Sequence, residues 1–365
     1  MIPFVNLRLQ YESIQSEIDQ AIQDVFAKSQ FIGGDVVKKF EEEFSTLLGT
    51  KHCIGTGNGT DSLFLILKAL GIGPGDEVIT PAFSCIPSAE CITLAEATVV
   101  FADVDDQYYT LDPADVERKI TSRTKAVIAV HLYGQAAFVA QLKKLCDKHK
   151  IFLIEDCAQA HLSKEKNGFT GTFGVASAFS FYPTKNLGAY GDAGCVLTQD
   201  KIVAENVRRL ANHGALKKND HEIEGTNSRL DTLQAAILSV KLKHLKKWND
   251  QRIVIADQYT NSLKNISGLT VPAVAAETEH TFHIYAIRTA KRDALKTHLS
   301  KAGIETLIHY PQALPFTAAY RYKNHSPGDF PVSAKLQHEV LSLPVYPGLT
   351  SDRVTTVIEN IKRYF

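Results

Sequence analysis

Ser180-Phe181-Tyr182-Pro183-Thr184-Lys185-Asn186-Leu187-Gly188 is the stretch that decides how this chain is read. An apolar run of mostly small residues, Val175 to Tyr182, leads into it and reads as a buried strand. Pro183 ends that strand, because proline has no N–H to give a ladder. A single lysine, Lys185, then stands in a turn, and a glycine-rich segment from Gly188 to Gly194 follows. A lysine in that place is either an ordinary loop lysine or an amine nucleophile. Burial and neighbouring cations lower a lysine's pKa and leave the free amine that a Schiff base needs.

Upstream, strands are expected at Glu77–Thr80, Thr98–Ala102, Ala126–Val130 and Ile151–Ile154, and helices at Pro87–Ala95, Pro113–Ile120 and Phe138–His149. The strands are apolar without alternation. That pattern predicts a mostly parallel sheet covered on both faces. Ligands of such sheets lie beyond the carboxyl ends of the strands. Phe83, His131, Asp156, Gln159 and Lys185 are thereby gathered near one edge. Asp156, directly after a strand, is either the carboxylate partner of a protonated ring nitrogen or an N-cap for the next turn. Phe83 is either a flat platform for a ring or a core aromatic.

Cys53-Ile54 reads as a short strand opening into Gly55-Thr-Gly-Asn-Gly-Thr-Asp61, before a helical stripe with Leu63, Leu67 and Leu70. A glycine turn that opens a helix favours a phosphate. The glycines fall at 55, 57 and 59, so the turn is neither G-x-G-x-x-G nor Walker A. The plain alternative is a flexible turn with Thr60 or Asp61 as N-cap.

Helices are also expected over residues 11 to 29, about 35 to 48, and 200 to 212. The polar run Lys217 to Gly225 reads as a mobile loop. A long helical pattern follows Asn227-Ser-Arg-Leu-Asp231 and reaches about residue 264. Its length suggests a helix joining two domains, a large one over 1–250 and a small α/β one over 251–365. In the small domain, strands are expected at Phe282–Arg288 and Ile304–Ile308, and helices at Arg292–Ala302, Ser333–Leu341 and Ser351–Ile361.

With 365 residues, 44% apolar and 22% charged, the chain has ordinary globular composition and room for two domains. Its formal net charge is zero, with no basic block, so a nucleic-acid partner is not expected. No apolar run approaches the roughly 20 residues of a membrane span, and no membrane partner is expected. No signal peptide is evident at Met1-Ile-Pro-Phe-Val-Asn6. The six cysteines are scattered without a C-x-x-C pair, which points to reduced thiols in a cytosolic protein and to no metal site.

Several spaced motifs, taken together, resemble the DegT/DnrJ/EryC1/StrS family of pyridoxal-phosphate sugar aminotransferases. They are Gly57-Asn-Gly-Thr-Asp-Ser-Leu63, Glu155-Asp-Cys-Ala-Gln-Ala-His161, Ser180 to Gly188 with Gly191-Asp-Ala-Gly194, Asn212-His-Gly214, and Asn227 to Asp231. The resemblance covers essentially the whole chain and implies an α/β aspartate aminotransferase fold (fold type I). It implies pyridoxal 5'-phosphate as cofactor, held by Lys185, which later moves protons between substrate carbon and cofactor. Asp156 would pair with the ring nitrogen, Gln159 with the ring hydroxyl oxygen, and Phe83 would stack on the ring. Gly59, Thr60 and Ser180 would hold the phosphate. Asn227 would reach the phosphate of a neighbouring subunit in a homodimer with shared active sites.

The family's amino donor is commonly glutamate and its acceptor a nucleotide-linked keto sugar. Ile304-Glu-Thr-Leu-Ile-His-Tyr-Pro311 resembles the branch acting at C-3 of dTDP-3-keto-6-deoxyhexoses, which yields dTDP-3-amino-3,6-dideoxyhexoses. His309, Tyr310 and Tyr182 are then candidates for sugar contacts, or else only shape the loop and core. Gln312-Ala-Leu-Pro-Phe316 and Phe83-Ser-Cys-Ile-Pro-Ser88 depart from that branch. The alternatives are a C-4 aminotransferase on a UDP- or dTDP-4-keto sugar, and a regulatory family member without turnover.

Overall fold

The computed structural model describes residues 1–166, 168–217 and 219–365. Its centre is a seven-stranded sheet. In spatial order the strands are His52–Thr56, Gly194–Thr198, Ala176–Ser180, Phe152–Asp156, Thr124–Val130, Glu77–Pro81 and Thr98–Ala102. The last five run parallel. Gly194–Thr198 is antiparallel to both of its neighbours.

The apolar strands have no polar face because both faces are covered. Val127 and Ala129 enter one buried cluster with Leu142, Leu145 and Val116, while Ile128 and Val130 enter another with Leu65, Ile66 and Ile92. Successive side chains point to opposite faces, so each residue of Val127–Val130 meets a helix layer.

The mostly parallel α/β sheet stands as expected, and several local expectations need correction. Residues 11 to 29 form two helices, Leu7–Glu12 and Gln15–Lys28. The long pattern after Asp231 also forms two, Thr232–Leu242 and Leu245–Leu263. They part where Lys243 and His244 bond to carbonyls three residues back, at 3.3 and 3.0 Å, which tightens the turn. Ile304–Ile308 is not a strand; it makes only isolated bridges, Ile304 with Ile2 and Leu307 with Ser342. The helix expected over Ser333–Leu341 is Pro331–Glu339, and Val340–Leu343 is a strand paired with Tyr285–Arg288. In the run Lys217 to Gly225, Lys217 and Asp220–His221 belong to a short hairpin with Ala215, and Lys218 lies outside the described residues. The buried strand Gly194–Thr198 was not expected.

A division near residue 250 remains our proposal. Its support is that the helix Leu245–Leu263 sends Ile255, Tyr259 and Leu263 into a C-terminal cluster with Tyr285, Ile287, Leu299, Val357 and Ile361. Among the described residues no helix is long and apolar enough to cross a membrane.

Candidate active site

The carboxyl ends of Phe152–Asp156 and Ala176–Ser180 open into a cavity of about 560 Å³, within the small-molecule range. Lys185, Asp156, Gln159, Ser180, Gly59, Thr60, Tyr182, His309 and Tyr310 all line it. Nine of the eleven residues predicted for the site therefore meet in one place, from segments spread over 250 positions.

At one end the helix Gly59–Ala69 begins. Its N-cap is Asn58, whose Oδ1 accepts from the Asp61 N–H at 2.8 Å, so neither Thr60 nor Asp61 is the cap. The N–H groups of Gly59 and Thr60 have no intrahelical acceptor and lie where the helix dipole is positive. Ser180 stands against them: a Cβ on Gly59 would lie 2.7 Å from the Ser180 Cβ. Just behind, the Ser228 hydroxyl donates to the Asp61 carboxylate at 2.6 Å and accepts from the Gly57 N–H at 3.0 Å.

Asp156 is buried in the middle of the cavity wall. Its Oδ1 accepts from the Ala158 N–H at 3.0 Å, so it does cap the following turn. Among the described residues its Oδ2 has no hydrogen bond. Burial raises the Asp156 pKa, and the Ala158 N–H, Lys185 and His131 pull it back. Gln159 has a set orientation: its Oε1 accepts from the Tyr133 N–H at 2.7 Å, and its Nε2 donates to the Tyr310 hydroxyl at 2.9 Å. Lys185 follows the end of the strand, and its N–H closes a turn onto the Tyr182 carbonyl at 2.8 Å. Burial lowers the Lys185 pKa, partly offset by Cys85 and Asp156. A buried amine with a depressed pKa and no ion pair among the described residues is poised as a nucleophile.

Two predicted residues lie elsewhere. Phe83 does not line the cavity; it is fully buried, with its ring edge-on to Tyr310 at 6.4 Å between centroids. Its neighbours Ser84 and Cys85 line the wall instead. Asn227 is exposed and outside the cavity, bridged to Asn212. Polar lining residues that the sequence reading did not assign to the site include Asn58, Cys85, Asp192 and His283. Asn58 carried a signal, since asparagine directly before a helical stripe is a good N-cap.

His131, Glu155 and Cys157 bring donor atoms within 4.8 Å of one another, as a metal would require. Their hydrogen bonds give a simpler account. Glu155 accepts from the N–H groups of Gly171, Phe173 and Gly174, at 2.7 to 2.8 Å. His131 Nδ1 accepts from the Ala137 N–H at 3.1 Å, so its Nε2 carries the proton and donates to Glu155 at 3.0 Å.

The profile of the DegT/DnrJ/EryC1/StrS aminotransferase family matches residues 12–362. The chain belongs to this family. It is 42% identical over 361 residues to the erythromycin biosynthesis sensory transduction protein EryC1 of Saccharopolyspora erythraea, covering 99% of both chains. It is 42% identical over 364 residues to the dTDP-3-amino-3,6-dideoxy-alpha-D-galactopyranose transaminase of Aneurinibacillus thermoaerophilus, covering 100% of this chain and 99% of that one. Among solved structures, DesV of S. venezuelae in complex with a ketimine intermediate superposes with a TM-score of 0.98 at 40% identity, covering 100% of this chain and 98% of that one. The protein is an aminotransferase of the aspartate aminotransferase fold that uses pyridoxal phosphate.

The cavity fits that cofactor. The Gly59 and Thr60 N–H groups, which lack an acceptor among the described residues, suit a phosphate. The unpartnered Asp156 Oδ2 suits a protonated ring nitrogen, and the Gln159 amide suits a ring oxygen. The lowered pKa of Lys185 suits a carbonyl carbon.

Proposed function

We propose that this DegT/DnrJ/EryC1/StrS family member moves an amino group from glutamate to C-3 of a dTDP-3-keto-6-deoxyhexose, giving a dTDP-3-amino-3,6-dideoxyhexose of the galacto or gluco series. The observation that carries the reading is the joint placement of Lys185, Asp156 and Gln159 on one cavity wall with His309 and Tyr310. The full-length similarity to a transaminase named for a 3-amino-3,6-dideoxy sugar supports C-3.

When bound, pyridoxal phosphate supplies an electron sink for the pair left when a carbon beside nitrogen loses its proton. The chain's residues do the rest. Gly59, Thr60 and Ser180 hold the phosphate. Asp156 keeps a positive charge on the ring nitrogen, and Gln159 orients the ring. Lys185 Nζ takes the proton from the donor carbon and later returns one to the sugar carbon. Glutamate leaves as 2-oxoglutarate, and the keto carbon becomes an amine-bearing carbon. Tyr310, held by Gln159, and His309, whose Nδ1 lies 2.9 Å from the Ser342 hydroxyl, offer the sugar polar contacts. Tyr182, exposed at the rim, offers another.

A homodimer is part of the proposal. It is supported by Asn227, which is exposed and outside its own cavity and would be free to reach the phosphate of a second copy. We also place the protein in the cytosol, on the strength of six free cysteines, five of them buried.

The test is incubation of the purified enzyme with glutamate and one of three acceptors: a dTDP-3-keto-6-deoxyhexose, a dTDP-4-keto-6-deoxyhexose or a UDP-4-keto sugar. Mass spectrometry reads the product. Amination of the 3-keto sugar alone supports the proposal. Amination of a 4-keto sugar alone would move the activity to C-4. Cofactor binding without turnover on any acceptor would revive a regulatory role, which the name of the EryC1 relative also suggests for that protein.

A further inference from the structure

Lys241 is a lysine that the chemistry above does not use. It lies in the helix Thr232–Leu242 and is 0% exposed. A buried ammonium ordinarily takes a carboxylate partner, yet among the described residues Lys241 has no ion pair. Its Nζ donates instead to the Gly188 carbonyl at 2.6 Å and stands 3.9 Å from the centroid of the Tyr190 ring. Both groups belong to the segment that follows Lys185.

That segment folds back tightly on itself. The Lys185 N–H bonds to the Tyr182 carbonyl at 2.8 Å, and the Ala189 N–H to the Phe181 carbonyl at 2.7 Å. A Cβ on Gly188 would stand 2.4 Å from the Pro183 carbonyl oxygen, so no side chain fits there. The Tyr190 N–H donates to Gln234 Oε1 at 2.8 Å, from the same helix as Lys241. Among the described residues the buried Tyr190 hydroxyl has no partner, and it is the ring face that lies against the Lys241 Nζ. One helix thus grips the returning end of the loop at residues 188 and 190, and Lys185 is at the loop's tip.

We propose that Lys241 is a positioning residue for Lys185: its Nζ, through the Gly188 carbonyl and the Tyr190 ring, clamps the turn that aims Lys185 into the cavity. An apolar side chain at 241 would leave the Gly188 carbonyl buried without a donor. The loop would then open more often, although every residue lining the cavity is unchanged. The inference rests on Lys185 being the reacting amine, but its test reads the loop directly.

The test is hydrogen exchange by mass spectrometry on the cofactor-loaded enzyme, comparing wild type with Lys241→Met and Lys241→Gln. In Lys241→Met, amides in the peptide covering residues 181–191 should exchange about tenfold faster or more, while those of the strand Phe152–Asp156 keep wild-type rates. Lys241→Gln keeps a donor and should fall between the two. In turnover, kcat should drop while KM for glutamate holds, because the clamp touches no substrate. Unchanged loop exchange in both variants would overturn the clamp, and so would exchange that rises equally across the whole chain. If Lys241→Met does not fold, Lys241→Gln decides by the same comparison. Full activity in Lys185→Ala would instead sink the reading of Lys185 and leave the exchange result standing.

Discussion

One methyl group at Gly59 tests the phosphate end of the site. The φ of Gly59 lies outside the left-handed region, so its backbone accepts alanine. The Cβ would nevertheless stand 2.7 Å from the Ser180 Cβ, 3.2 Å from its Cα and 3.3 Å from its Oγ. Carbon atoms pack best at about 3.5–4.0 Å, so the helix start must withdraw by roughly 1 Å. The atoms it meets are a Cβ and a backbone carbon, which cannot rotate away. Two energies compete. Alanine is the better helix former by about 1 kcal/mol. Overpacking costs about 1–3 kcal/mol. The net change in stability is therefore small and unfavourable. The change in function is larger, because a displacement of about 1 Å at a positioned donor can cost about 10²-fold. Gly59→Ala should bind pyridoxal phosphate about 100-fold more weakly, while its thermal midpoint falls by only a few degrees. Titration of the cofactor-free protein, followed by the cofactor's fluorescence, measures the first, and calorimetry the second. Gly73→Ala is the control, since its Cβ meets only the Ala95 carbonyl oxygen, at 3.6 Å. Wild-type cofactor affinity in Gly59→Ala would refute the argument that this helix start is the phosphate cradle.

Three further outcomes are expected. Lys185→Ala should lose roughly 10⁴-fold in turnover, and borohydride should no longer fix cofactor to the chain; retained covalent trapping at another lysine would displace Lys185 from its role. Glu155→Gln should destabilise by about 3 kcal/mol in urea titrations, because the amide turns a donor toward backbone N–H groups that now meet a carboxylate; a loss under about 1 kcal/mol would remove Glu155 as the anchor of residues 171–174. Burial lowers His161 and His280 to about 3, and His309, helped by Lys185, to about 4. Between pH 6.5 and 4 the unfolded chain therefore binds protons that the folded chain refuses, so stability falls as pH falls through that window. Each histidine contributes about 1.4 kcal/mol per pH unit there. His161→Asn should flatten the slope of stability against pH by one proton, and an unchanged slope would show that His161 titrates alike in both states.

The parts of the site that could be read in the sequence are those that local pattern alone positions. Asp156 and Lys185 follow apolar runs, and each run is a buried strand whose end the chain marks plainly, with an acidic pair at 155–156 and with Pro183. Gly59 and Thr60 were legible because a glycine turn precedes a leucine stripe. The sheet was legible for a related reason. Unbroken apolar strands between amphipathic helices leave few ways to cover both faces. Where local pattern carries two meanings, the reading slipped. Val340 and Leu341 continue the helical stripe of Pro331–Glu339 and also begin a strand, and only pairing with Tyr285–Arg288 chooses between them.

What stayed hidden is held by partners far away in the chain. The orientation of Gln159 is set by the Tyr133 N–H and by a phenol 151 residues downstream. Asn186, next to Lys185, gives its amide hydrogens to Asn249 and to the Thr281 carbonyl, and its oxygen faces His283 Nδ1 at 3.1 Å. With the amide turned that way, His283 Nδ1 must carry the hydrogen, which leaves the Nε2 lone pair for the cavity that His283 lines. No spacing rule links residues 186, 249 and 283, since each sits in a different element and only folding joins them. Phe83 shows the opposite case. Its position just after a strand is the right address for a ring platform, but an aromatic there can turn inward as readily as outward. The packing settles it inward, edge-on to Tyr310, and gives the wall to the smaller Ser84 and Cys85. Local pattern thus says which residues reach the edge of the sheet. Which of them face the cavity is decided by volume and by hydrogen bonds from the far end of the chain.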